Sequence, residues 1–301
     1  MGDVLRSPQY GREGYVKMDM QVRAVRQMVE PVFVSEGAGV KLRRSIGLRT
    51  LDYLDPFLLL DHFASDDPRD YVAGFPWHPH RGIETVTYML AGMVKHQDSI
   101  GHVGSIGAGD AQWMTAGGGI MHEEMPQAVS GRMAGFQLWV NLPAKDKMIK
   151  PRYQDIPAAR IPEVTRPDGT RIRVIAGSAD GVRGPVGDII ADPTYLDVVL
   201  PAGVVLQQPA TRGHTVFAYL FEGSAAFGPT GAALRGAGPQ LVVFDDGDMV
   251  RVETRDQPAR FLLISGKPLG EPIARYGPFV MTTPAEIQQA LRDLREGKFL
   301  R

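Results

Sequence analysis

Two distant segments of the chain carry one pattern at identical spacing. Arg81-Gly82 is followed by Val86, Tyr88 and Gly92, and Arg212-Gly213 by Phe217, Tyr219 and Gly223. Branched and aromatic residues that alternate and then meet a glycine mark a strand ending in a turn. A second turn signal, Gly109-Asp110, has a counterpart in Gly247-Asp248. A chain that repeats a β-unit in this way folds as two copies of one β-domain. The 35 glycines and 23 prolines fit many short strands joined by turns.

The copies differ in chemistry. The first contains His78-Pro79-His80 and His122-Glu123-Glu124. Residues i and i+2 of a strand point to the same face, so each segment can aim two donors into one cavity. His78, His80, His122 and Glu124 together form a set of three imidazoles and one carboxylate. By spacing, His78 and His80 fall on Pro209 and Thr211 of the second copy. Counted from the Gly-Asp turn, His122 and Glu124 fall on Arg260 and Leu262. One copy is therefore expected to carry a site and the other to be empty. The chain has no cysteine, so any metal must rest on nitrogen and oxygen donors. Such donors suit iron(II), manganese, nickel, copper or zinc, and four of them leave open positions on a six-coordinate ion. The rival reading, ordinary histidines and glutamates on strands, stays open at this level.

Glu84 competes for the carboxylate role. Glu123 alternates away from Glu124 and should face outward. His96 and His102 could line or back the pocket or sit in a surface loop, whereas His62 and His214 read as structural. Gln112 and Gln137 could present amides to a ligand, with ordinary hydrogen bonding as the default. Trp77, Trp113, Trp139 and Phe57 could wall an apolar pocket, with core packing as the default.

A balance of 33 basic and 34 acidic residues, net −1, gives no global reason to expect nucleic acid or an anionic membrane as partner. Lys41, Arg43, Arg44 and Arg49 form a small basic group, read as a solvated strand face. No apolar run reaches the roughly 20 residues of a membrane-spanning helix. The first residues show no secretory signal, which makes the cytoplasm the default location. Residues 1–27 read as an extension, residues 28–145 as the first unit, 146–171 as a proline-punctuated linker, and 172–301 as the second unit with a tail helix. Thr283, Pro284 and Glu286 form a capping box at the start of that helix. Ile287, Ala290, Leu291 and Leu294 give it one apolar stripe.

Several separated motifs resemble the pirin family of the cupin superfamily. They are Arg43-Arg44-Ser45-Ile46-Gly47, Leu54-Asp55-Pro56-Phe57-Leu58-Leu59, His78-Pro79-His80-Arg81-Gly82, Gln112-Trp113-Met114-Thr115-Ala116-Gly117 and Gly277-Pro278-Phe279-Val280-Met281. The resemblance implies a mostly β bicupin, two tandem cupin-type barrels and a C-terminal helix, with one metal ion in the first barrel. It places the ligands on His78, His80, His122 and Glu124 and makes Glu84 a non-ligand. It implies one divalent ion, iron(II) first, with manganese, nickel, copper and zinc as alternatives. For function it implies a quercetin 2,3-dioxygenase-like enzyme that acts on a flavonol-like aromatic substrate, with Glu124 as the base. The alternative it carries is a regulatory protein that binds partner proteins in a metal- and redox-dependent manner.

Overall fold

The computed structural model describes residues 20–128 and 131–300. Twelve strands lead through the first half: β1 (Val25–Val29), β2 (Val32–Glu36), β3 (Val40–Ile46), β4 (Phe57–Ser65), β5 (Phe75–His80), β6 (Ile83–Ala91), β7 (Met93–Asp98), β8 (Val103–Gly107), β9 (Ala111–Thr115), β10 (Ile120–Gln127), β11 (Met133–Asn141) and β12 (Arg152–Ile156). The first barrel sets a seven-stranded sheet, in order β12-β9-β6-β11-β4-β3-β2, with a four-stranded sheet, β5-β10-β7-β8. The second barrel repeats this plan with Thr215–Phe227 in the place of both β6 and β7. The repeated glycines mark the corner at which the chain passes between sheets. Gly92 (φ 81°) separates β6 from β7, and Gly223 (φ 75°) sits inside the long strand. A Cβ at Gly223 would lie 1.9 Å from the Pro258 carbonyl oxygen, so only glycine turns this corner.

The two barrels share one core. Phe57, Leu60, Phe136 and Leu138 of the first are packed with Tyr195, Phe217, Tyr219 and Ile264 of the second. Phe57 meets Phe217 edge to face, with ring centroids 5.1 Å apart. Phe57 is therefore an inter-barrel residue and not a pocket wall.

Three boundaries differ from the sequence expectation. Residues 1–19 lie outside the described residues, but 20–27 are not an extension. β1 pairs with Gln240–Phe244 of the second barrel, and the buried Arg23 donates to the carbonyls of Thr211, His214 and Asp245. The expected linker also carries strands. β12 pairs with β9 of the first barrel, and Glu163–Thr165 pairs with Arg171–Ala176 of the second. Pro151, Pro157 and Pro162 bracket these strands without interrupting them. Finally, the tail returns to the first barrel. Val280 packs with Leu58, Ile83, Met114 and Ile120, and Phe279, Met281, Ile287, Ala290 and Phe299 form a small cluster beneath it. The helix α1 (Pro284–Arg295) starts at the expected Thr283–Glu286 capping box. Each end of the described segment thus packs on the barrel farther from it in sequence.

The Gly-Asp match does not follow the topology. Gly109-Asp110 precedes β9, whereas Gly247-Asp248 precedes Met249–Glu253. The strands that pair as β5 and β10 do are Val205–Pro209 and Met249–Glu253. Their buried residues are Leu206, Gln208, Val250, Arg251 and Val252; Arg260 and Leu262 lie on a different strand, Ala259–Gly266. The second barrel still presents no imidazole or carboxylate where the first has its histidines.

Candidate metal centre

β5 and β10 lie antiparallel, and His122 stands directly opposite His78. The i, i+2 rule holds on β5: the His78 and His80 Nε2 atoms are 3.1 Å apart. One nitrogen from each of His78, His80 and His122 lies within 4.8 Å of the other two. Ring centroids are 4.3 Å apart for His78 and His122 and 5.0 Å for His80 and His122. The Pro76 carbonyl, 2.9 Å from His78 Nδ1, accepts its proton and leaves Nε2 as a lone pair aimed at the triangle. Burial lowers the pKa of all three rings, so they are held neutral. Neither ring nitrogen of His122 has a hydrogen-bond partner, although the residue is buried. Orphaned nitrogens at 2% exposure are costly unless something binds them. Neutral imidazoles with converging lone pairs are what a divalent transition metal requires, so the residues fit one.

Glu124 is placed less simply. The register between β10 and β5 shifts between His122 and Glu124, so Glu124 stands opposite Phe75. Such a bulge re-aims side chains. Glu124 lines the same cavity as His78 and His80 but is not part of the three-nitrogen triangle. Burial pushes its carboxyl up to about 7. The nearest hydroxyl, Thr87 Oγ1, is 3.4 Å from Glu124 Oε1 and donates instead to Gln137 Oε1 at 2.6 Å. The carboxylate is thus half-buried, weakly held and basic near neutrality. Gln137 also lines the cavity.

Glu84 is excluded from the cavity. It accepts from Trp113 Nε1 at 3.1 Å and Thr115 Oγ1 at 2.7 Å. That contact also assigns Trp113 to the core. Trp77 is 47% exposed. Only Trp139 of the proposed aromatic walls lines the pocket, where it meets the His80 ring edge to face at 5.2 Å. Glu123 faces away and accepts from Gln97. His62 is structural, stacked on Phe136 at 4.8 Å with Nδ1 3.2 Å from the Tyr219 hydroxyl.

The cavity has a volume of about 1110 Å³. Its mouth includes residues remote in sequence, among them Arg44, Tyr53, Glu271, Arg275 and Tyr276. Glu271, Arg275 and Tyr276 arrive because the 271–278 segment folds back on the first barrel. Most of the basic group has partners within the chain: Arg44 pairs with Asp61 and Glu36, the exposed Lys41 with Asp70, and Arg43 stacks on Phe33. No helix of the described residues is long and apolar enough to cross a membrane.

Comparison with known proteins agrees with this architecture. Residues 39–140 match the Pirin family model, and residues 195–300 match the Pirin C-terminal cupin domain. A pirin-like protein of Caulobacter vibrioides is 46% identical over 282 residues, covering 93% of this chain and all of that protein. Human pirin is 45% identical, covering 88% of this chain and 89% of its own. The crystal structure of a quercetin 2,3-dioxygenase from Acinetobacter baumannii superposes with a TM-score of 0.84 at 34% identity, covering 92% of this chain and 98% of that one. The two-barrel plan, the single histidine triangle and these matches together show that the chain is a bicupin of the pirin family.

Proposed function

We propose that the protein is a metal-dependent dioxygenase that opens the heterocycle of a flavonol-like substrate. One observation carries the reading. Three neutral imidazoles, two of them buried, converge beside a cavity of about 1110 Å³ that is lined by His78, His80 and a weakly held, basic Glu124 and is large enough for a flavonol. The similarity to the Acinetobacter baumannii enzyme supports the substrate class.

His78, His80 and His122 would hold the ion, iron(II) as first choice, with Glu124 as a fourth donor. A bound divalent ion supplies a Lewis acid for the substrate's oxygens and a centre at which O₂ reacts. The protein's own residues do the rest. Glu124 accepts the proton of the flavonol 3-hydroxyl, and a carboxyl titrating near neutrality is well matched to that role. Its weak contact with Thr87 leaves it free to turn toward substrate. Trp139 provides an aromatic wall beside His80, and Arg275 packs over Trp139 at 5.1 Å, which holds that wall in place. Phe63 and Phe75 extend the apolar lining and limit water at the deprotonated substrate. One flavonol and one O₂ give a ring-opened ester and CO.

The test is anaerobic loading with iron(II), followed by O₂ uptake and CO release with quercetin. Stoichiometric turnover that is lost in His122→Ala supports the reading. Turnover that survives His122→Ala overturns the site. Metal binding without turnover on any flavonol overturns the enzyme reading and favours a metal-dependent partner-binding protein.

A further inference from the structure

A second group of donors lies in the same barrel, outside the triangle. His96 is on β7, His102 is in the turn before β8, and Asp155 is on β12. One donor atom from each lies within 4.8 Å of the other two. We propose that His96, His102 and Asp155 bind a second divalent transition-metal ion. The inference does not depend on the dioxygenase reading.

The geometry is held from several sides. The His96 and His102 rings are nearly parallel, 10° apart, with centroids 5.2 Å apart. Tyr153 lies nearly parallel to both rings, its centroid 4.5 Å from His102 and 6.3 Å from His96. Asp98 Oδ1 accepts the backbone N–H groups of Ile100 and His102, at 2.8 and 2.9 Å, and so fixes the turn that presents His102. Gly104 stands opposite His96 on β8, and a Cβ there would lie 2.6 Å from His96 Nε2. Glycine at this position is what gives the ring its place. Gln112 donates to Asp155 Oδ1 at 2.8 Å, which turns Oδ2 toward His102 Nε2, also at 2.8 Å. Gln112 Nε2 is 3.3 and 3.2 Å from the two ring nitrogens of His96. Equal distances put the amide across the ring rather than in line with either lone pair, so a His96 nitrogen stays available to an ion.

Two imidazoles and one carboxylate favour zinc, cobalt, nickel, copper(II) or iron(II) over calcium or magnesium. Donors around a four-coordinate zinc ion stand roughly 3.4 Å apart for bonds of about 2.1 Å. His102 and Asp155, 2.8 Å apart, are already near that separation, and His96 lies within 4.8 Å of both, so a small side-chain movement completes the set. The His102 and Asp155 side chains are 32% and 41% exposed, which provides an entry path and room for a water ligand. Asp98 and Asp155 together bring two carboxylates to the place where two positive charges would sit. A simple His102–Asp155 ion pair is the competing account, and it predicts no second ion.

Equilibrium dialysis of the chelator-stripped full chain against zinc(II), read by elemental analysis, separates the two. Two ions per chain are expected for the wild type. One is expected for His102→Ala/Asp155→Asn and one for His78→Ala/His122→Ala, each with a wild-type circular-dichroism spectrum. Asp155→Asn alone keeps an acceptor for Gln112 and should weaken the second ion at least about tenfold, roughly 1.4 kcal/mol. In the His78→Ala/His122→Ala background, cobalt(II) should still give a visible band from the remaining site. A wild type that saturates at one ion, or a second ion that persists in His102→Ala/Asp155→Asn, overturns the proposal.

Discussion

Arg81 links the metal-bearing strand to the tail, and its removal has a cost that can be worked from its contacts. It follows His80 directly and is 1% exposed. Its Nε donates to the Gly118 carbonyl at 2.7 Å, Nη1 to Asp293 Oδ2 at 2.7 Å and Nη2 to the Phe299 carbonyl at 3.0 Å. The guanidinium also lies 4.4 Å from the centre of the Phe299 ring. Arg81→Met keeps most of the volume and removes every donor. Asp293 keeps the Gln289 amide at 2.6 Å but loses its arginine. Breaking a buried pair by removing one partner costs about 3–5 kcal/mol, and the two carbonyls that lose a donor push the value toward the upper end. We expect a loss of about 4 kcal/mol, a large share of the roughly 5–15 kcal/mol that holds a domain. At about 2.1 cal/mol/K per residue, a chain of 301 residues should lose roughly 6 °C in Tm. Thermal and urea unfolding of the apo protein measure this. Arg81→Met/Asp293→Asn should recover part of the loss, because it removes the carboxylate left without its arginine. A loss below about 1 kcal/mol, or strict additivity in the double variant, would refute the reasoning.

Other outcomes follow from single residues. His62 has its pKa pushed down to about 4 by burial and by Arg43. Between pH 6.5 and 4 the unfolded chain takes up the proton and the folded chain does not, so stability falls as pH falls, by roughly 3 kcal/mol for this group. His62→Gln should flatten urea-derived stability against pH in that window; an unchanged slope rejects the assignment. Glu124→Gln should lower quercetin turnover at least about 100-fold while iron remains on the three imidazoles. Loss of the iron itself would make Glu124 an essential ligand rather than chiefly a base. Thr283→Ala removes the side-chain acceptor for the Glu286 N–H and should cost about 1 kcal/mol in thermal unfolding, with no change at the metal site.

The parts of this protein set by near neighbours could be read from the chain. His78 and His80 share a face because a strand repeats every two residues, and they meet in the structure. The α1 capping box lies within four residues and forms as expected. The spaced glycines announced two copies of one unit because each sits at a corner of its own copy. What depended on distant contacts was decided by the tertiary structure. A bulge in the pairing of β10 with β5 moved Glu124 out of the histidine triangle, and no local residue signals it. Val280 fills a gap among Leu58, Ile83, Met114 and Ile120, which brings the tail to the first barrel although it follows the second in sequence. β1 goes the other way because an edge strand, Gln240–Phe244, offers it a partner. His96, His102 and Asp155 come from separate stretches and meet only once β12 has paired with β9. Short-range periodicity sets which side chains share a face, but the distance between two faces exists only after the sheets have packed.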